Sequence, residues 1–291
     1  MDLISLKERS NNFQTRTSWN LYASHRKEVM ELISAHQKTP NDTLCLLGAG
    51  NCNDVDLPSL LSSFSGVELF DLDKEAIEFA LENQQVQGKP GIALHTGIDF
   101  SGIIPQLERW QIQAPSLKEK RTCLDLMSRN NWTLPYRERY DLVVSCCMIS
   151  QMLHAISRTQ LSNRDQMHLA DWVRLYHLSH LIQLLTPSGT AILLSDVAST
   201  ERVKESTNSS QLPNSEVLRT LVKEEKFFNG LNPFQMLREA QTHFSNQVYS
   251  SLSSPWIWQF SPQKYFLTYA IVLEKLAGRK GTLQSSLFTL P

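Results

Sequence analysis

The sequence predicts an α/β fold built on a doubly wound, mostly parallel sheet. Three observations predict it. Short apolar runs of strand length alternate with segments whose apolar residues recur at helical spacing. The first run, Thr43-Leu-Cys-Leu-Leu47, opens directly onto Gly48-Ala-Gly50, as a buried parallel strand opens onto a tight turn. The last two runs, Trp256 to Phe260 and Tyr265 to Lys275, have four residues between them. A parallel crossover needs about a dozen residues, so that pair must be antiparallel.

Taken in order, the chain begins with a helical block from about Phe13 to Gln37, on which Trp19, Tyr22, Val29, Leu32 and Ile33 share one side. After the first strand and its glycine turn come a short helix near residues 58–63 and a second strand, Val67-Glu-Leu-Phe70, ending in Asp71-Leu-Asp73. Asp73 suits the N-cap of the next helix, which carries Ala76, Ile77, Ala80 and Leu81. A third strand runs from about Ile92 to His95. Residues 103–139 interrupt the rhythm and are read as one helix with a connecting excursion. Tyr140-Asp-Leu-Val-Val144 is the fourth strand, a long helix spans about Asp165 to Leu185, and Thr190 to Leu194 is the fifth strand. Residues 199–250 read as a Ser/Thr/Asn-rich stretch followed by helical pieces with Phe227, Phe228 and Phe234.

Composition narrows the function. The 291 residues hold 28 Lys+Arg against 29 Asp+Glu, a formal charge of −1, with 41% hydrophobic residues. That length and apolar content suit one large domain with additions and exclude a disordered tail. The charge balance supplies no positive field for a phosphate backbone, so nucleic acid is not an expected partner. No apolar stretch approaches the roughly 18 residues of a membrane span. The N-terminus lacks an apolar leader, and five cysteines without a C-x-x-C pair read as reduced core residues; a cytoplasmic location is the expectation. Glycine is scarce, with 11 residues, or about 4% where about 7% is ordinary. Those at Gly48, Gly50, Gly97, Gly102 and Gly189 fall at predicted strand ends.

The turn at Gly48 and Gly50 lets backbone amides approach a ligand with no Cβ in the way. Alone it is a weak signal. Asp71 strengthens it, since it ends the next strand 21 positions after Gly50, where an acidic side chain can accept both hydroxyls of a ribose.

On these residues the chain resembles the class I S-adenosylmethionine-dependent methyltransferases. Leu44-Cys-Leu-Leu-Gly-Ala-Gly50 resembles motif I, Leu69-Phe-Asp-Leu-Asp73 motif II, and Thr96-Gly-Ile-Asp99 the loop that lies along the adenine. Tyr140-Asp-Leu-Val-Val-Ser-Cys-Cys-Met-Ile149 is similar to motif IV, and Leu184-Leu-Thr-Pro-Ser-Gly-Thr-Ala-Ile-Leu193 to the later proline-glycine turn and strand. The likeness covers roughly residues 43–100, 140–195 and 256–275. It implies a Rossmann-like sheet of seven strands with a reversed C-terminal strand, in a single domain over residues 1–291, with residues 1–40 as an N-terminal helical cap and 199–250 as a helical lid. The implied cofactor is S-adenosyl-L-methionine, leaving S-adenosyl-L-homocysteine. The residues implied to hold it are Gly48, Ala49, Gly50, Asn51, Asp71, Leu72, Ile98, Asp99, Ser145 and Cys146, with Tyr22 and Arg26 capping it from the first helix.

The resemblance has departures. Motif I ordinarily carries an acidic residue two positions before its first glycine, where this chain has Leu46. Asp54 and Asp56 are candidate replacements for holding the methionine ammonium, or equally the N-terminal charges of the next helix. Ser145-Cys-Cys-Met148 lacks the Asn/Asp-Pro-Pro-aromatic tetrapeptide of enzymes that methylate base amines. A small-molecule acceptor is the expectation, methylated by in-line displacement on O or N, with a natural-product intermediate as one form. A peptide or protein substrate, or a catalytically silent scaffold, are the alternatives. A hydroxyl acceptor needs a base, for which His154 and then His243 are the candidates. His177 and His180 lie three apart on the long helix, but no third ligand is placed, and no metal is expected. A homodimer is left open.

Overall fold

In the computed structural model, which describes residues 3–129, 134–201 and 214–277, the apolar runs become the inner strands of one sheet. The strands are β1 (Thr43–Leu47), β2 (Gly66–Asp71), β3 (Ile92–Thr96), β4 (Tyr140–Ser145), β5 (Leu185–Ser199), β6 (Val248–Leu252), β7 (Trp256–Gln259) and β8 (Tyr265–Lys275). Their order is β3-β2-β1-β4-β5-β8-β6, with β7 also paired to β8. The first five are mutually parallel, and β8 runs antiparallel to β5, β6 and β7. This is the Rossmann-like arrangement with a reversed C-terminal strand.

The sheet has eight strands, one more than the seven expected, and the extra one is β6. It pairs with the second half of β8 and β7 with the first half, so the two share one edge of the sheet. Pro255, which has no amide hydrogen to give, lies in the break between them. Ser253 bridges that break, its amide donating to the Ala270 carbonyl and its Oγ accepting from the Ala270 amide.

Both faces of the sheet are covered, as the continuous burial of β1 requires. Leu44 and Leu46 face α2 (Ala23–His36), α3 (Leu57–Ser63) and α4 (Lys74–Asn83) in one core. Cys45 and Leu47 face the other core, shared with α5 (Ile104–Ile112), α6 (Leu117–Arg129), α7 (Met148–Ser157), α8 (Asn163–Leu184), α9 (Ser215–Lys223) and α10 (Pro233–His243). Asp73 caps α4 by accepting from the Glu75 and Ala76 amides, and Asp56 caps α3 by accepting from the Ser59 amide.

Several elements differ from expectation. The N-terminal block is two helices, α1 (Leu3–Thr15) and α2, broken by a turn at residues 16–22. Residues 103–139 hold α5, α6 and a short 3-10 turn, and α7 follows β4 directly. In the described part of 199–250, Leu218, Leu221, Met236 and Phe244 join the core beneath the sheet. The five cysteines are buried and unpaired. Among the described residues no helix is long and apolar enough to cross a membrane.

Candidate active site

The turn after β1 is built by backbone conformation. Gly48 has φ +70° and Gly50 φ +48°, the left-handed region that glycine enters without strain. The Gly48 and Ala49 amides both donate to the Phe70 carbonyl, and the Gly50 amide donates to Asp71 Oδ2 at 2.8 Å. Asp71 Oδ1 accepts from the Asp73 amide at 2.7 Å. Each carboxylate oxygen thus takes one backbone hydrogen bond and keeps further acceptor capacity. Burial pushes the Asp71 carboxyl up to about 6 against the pull of those amides.

A Cβ on Gly48 would sit 2.2 Å from Met148 Cγ and 3.4 Å from the Cys146 carbonyl oxygen. The glycine turn therefore lies directly against the start of α7. Beside this contact is a cavity of about 100 Å³, lined by Gly48, Gly50, Asp71 and Leu72 on one side, Ile98, Asp99 and Ile104 on another, and Met148 and Gln151 from α7.

Its remaining wall is α1, through Ile4, Glu8 and Asn12. Asn12 Nδ2 donates to Asp73 Oδ2 at 3.0 Å. Asn51 and Asn53 reach back to hold the end of α1, donating to the Asn12 and Thr15 carbonyls respectively. Burial, and then the charge of Asp71, push the Glu8 carboxyl up to about 7. Neither Glu8 nor Asn12 had a sequence signal, because α1 has no strong apolar stripe and lies outside the motifs.

The structure brings Gly48, Gly50, Asp71, Leu72, Ile98 and Asp99 together on the cavity. Asp99 is largely committed to its own loop, accepting from the Ser101, Gly102 and Ile104 amides. Asn51 is an anchor for α1 and does not line the cavity. Ser145 is buried, its Oγ 2.9 Å from His177 Nε2, and burial lowers the His177 pKa to about 4. Cys146 is buried, and burial holds its thiol well above the ordinary value.

The other expected residues lie elsewhere. Asp54 Oδ1 is 3.2 Å from His25 Nε2, turned toward α2. Tyr22 packs edge-on to Trp258, with ring centres 5.2 Å apart. Arg26 donates to the Trp19 and Asn53 carbonyls and stacks over the Trp19 ring. His154 is exposed on α7 although Met152 and Ala155 line the cavity, and His243 is exposed at the end of α10. Among the described residues no cluster of three His, Cys, Asp or Glu could hold a metal.

No protein-family model and no curated protein matches the sequence. Among solved structures, the chain is similar to 1,6-didemethyltoxoflavin-N1-methyltransferase from Burkholderia thailandensis, crystallised with 1,6-didemethyltoxoflavin and S-adenosylhomocysteine. The TM-score is 0.49 at 10% identity, over 94% of this chain and 87% of that one. It is also similar to a SAM-dependent methyltransferase from Methanosarcina mazei, with TM-score 0.45 and 12% identity over 84% of this chain and 97% of that one. A third is the N-methyltransferase NodS from Bradyrhizobium japonicum in complex with S-adenosylhomocysteine, with TM-score 0.42 and 9% identity over 88% and 87%.

Proposed function

We propose that this chain is an S-adenosylmethionine-dependent methyltransferase acting on an O or N atom of a small molecule. The observation that carries the reading is the Gly50 amide donating to Asp71 on the wall of the cavity. That bond holds the acid at the end of β2 against the glycine turn, with lone pairs left for two ribose hydroxyls. Gly48 has no room for a side chain because Met148, at the start of α7, packs against it.

The lining fits the cofactor by chemistry. Asp71 would take the ribose, and Leu72, Ile98 and Ile104 would flank the adenine. Gly48 and Gly50 line the wall that the amino-acid portion would face. Glu8 is the acid available to the methionine ammonium, in place of the group that motif I lacks at Leu46. Bound there, the cofactor supplies an electrophilic sulfonium methyl. Ligand pockets run to roughly 300–1,000 Å³, so this cavity of about 100 Å³ would have to widen to admit it. With His154 and His243 away from the cavity, an amine acceptor, which has only to arrive neutral, is favoured over a hydroxyl that needs a base.

A second reading, a catalytically silent scaffold, is favoured by the way α1 occupies the cavity with Glu8 and Asn12. A peptide acceptor is a further alternative. Titration calorimetry with S-adenosylmethionine and S-adenosylhomocysteine separates the first two readings: the enzyme binds both, and a chain that binds neither is not a methyltransferase.

A further inference from the structure

Buried polar atoms ordinarily have partners, so a group of them without any calls for an explanation. Asp196 Oδ1, Thr268 Oγ1 and Trp258 Nε1 are buried and have none. The strand register puts them together. Asp196 near the end of β5 lies directly across from Thr268 on β8, Thr268 lies across from Trp256 on β7, and Trp258 is one two-residue step along the same strand. Residues opposite one another in antiparallel strands share a face, as do residues two apart. All three therefore belong to the α2 side of the sheet, the side on which Leu194, Trp256, Trp258, Phe266 and Ala270 are buried.

The surroundings are aromatic. The Trp258 ring has Tyr22 at 5.2 Å, Phe260 at 5.4 Å and Phe266 at 5.7 Å, and stacks on His25 at 4.7 Å. The Trp256 indole donates to His25 Nδ1, so Trp256 has its partner, while His25 Nε2, 3.2 Å from Asp54 Oδ1, makes no hydrogen bond. Trp258 and Asp196 do not reach saturation in this way. Both are marginally open, at 8% exposure each. Asp196 also adjoins the candidate active site, because the Cys147 beside it is followed by Met148, which lines the cavity.

We propose that Asp196 and Trp258 recognise the methyl acceptor, and that this acceptor is a planar nitrogen heterocycle carrying an N–H donor next to a ring acceptor. This rests on the methyltransferase reading and names the substrate class of that site. The chemistry is complementary: an indole N–H can only donate, and an unpartnered carboxyl oxygen such as Asp196 Oδ1 can accept from a ligand N–H. One ligand edge that satisfies both must offer an acceptor and a donor side by side. Tyr22, Phe260 and Phe266 then select a flat ring, which stacks at little entropic cost. Thr268, able to donate or accept, suits either end of that edge.

The test follows the indole N–H resonance of Trp258 in the isotope-labelled full chain, assigned by its disappearance in Trp258→Phe. Aminopyrimidine, which has the donor beside the acceptor, is titrated with and without S-adenosylhomocysteine, with toluene as the ring lacking both. A saturable shift of the Trp258 signal with aminopyrimidine and none with toluene is expected. Asp196→Asn should weaken that binding by about ten-fold, while the other indole signals stay in place and the affinity for S-adenosylhomocysteine is unchanged. If the Trp258 signal of the unaltered chain ignores aminopyrimidine, the inference is overturned, whatever the variants do. An equal response to toluene, or one unaffected by Asp196→Asn, overturns it as well. Binding of S-adenosylhomocysteine without a Trp258 response removes this inference alone. A Trp258 response without S-adenosylhomocysteine binding removes the methyltransferase reading, and with it the assignment of the heterocycle as a methyl acceptor.

Discussion

The Gly50 amide donates to the Asp71 carboxylate over 2.8 Å, locking the turn after β1 to the end of β2. On the proposed reading the same carboxylate meets the ribose. Asp71→Ala should weaken S-adenosylhomocysteine binding by roughly 1.5–3 kcal/mol, the usual loss for charge-assisted hydrogen bonds. Calorimetry reads it directly, and an unchanged affinity would mean that another group holds the ribose.

Gly48 makes a second, steric prediction. Its left-handed φ costs an L-residue roughly 1–2 kcal/mol, and its Cβ would stand 2.2 Å from Met148 Cγ. Gly48→Ala should lower the unfolding midpoint by several degrees. Met148→Ala in the same chain should recover only the steric part, because the backbone strain remains. Full recovery would show that the φ angle costs nothing.

How much of this was legible in the sequence follows from what each element depends on. β1, β2, β4 and the closing β7–β8 pair declare themselves through continuous apolar runs and a short connection. The cavity residues Gly48, Gly50, Asp71 and Ile98 follow from their place at strand ends. β6 was not legible, because Val248–Leu252 alternates weakly and its pairing is with β8, far along the chain. Glu8 and Asn12 were not legible either, since what matters about them is where α1 docks. Asp54 has the composition of a cofactor ligand, yet the structure turns it to His25, a contact that no local spacing encodes.

The carboxyls in the cavity give a pH dependence. Glu8 is raised from 4.5 to about 7 and Asp71 from 3.8 to about 6. The folded chain therefore holds protons that the unfolded chain has released. Their contribution to stability is fully present below about pH 4 and is lost as pH rises through about 6 to 7. Cofactor binding should run the other way, since Glu8 must ionise to meet an ammonium. Affinity for S-adenosylhomocysteine should rise between about pH 6 and pH 8, with proton release seen in calorimetric buffers of different ionisation heat. Glu8→Gln should flatten that profile. A profile that Glu8→Gln leaves intact would assign the proton to another group.

Below the sheet, Arg174 is 1% exposed and is held by Glu239, Asp171 and the Gly230 carbonyl. Removing one partner leaves a buried charge uncompensated, which costs roughly 3–5 kcal/mol. Glu239→Ala should destabilise the chain by an amount near the lower end of that range, because Asp171 and the carbonyl remain. Chemical denaturation measures it. A loss below about 1 kcal/mol, the scale of an exposed pair, would show that the ion pair is solvated.

The central claim is that the cavity between the glycine turn, Asp71 and α1 is a cofactor site. It is tested most directly by titrating the purified full chain with S-adenosylhomocysteine in a calorimeter. One molecule bound per chain, with affinity reduced in Asp71→Ala, is the predicted result. No heat of binding from a folded chain, for this compound or for S-adenosylmethionine, would contradict it.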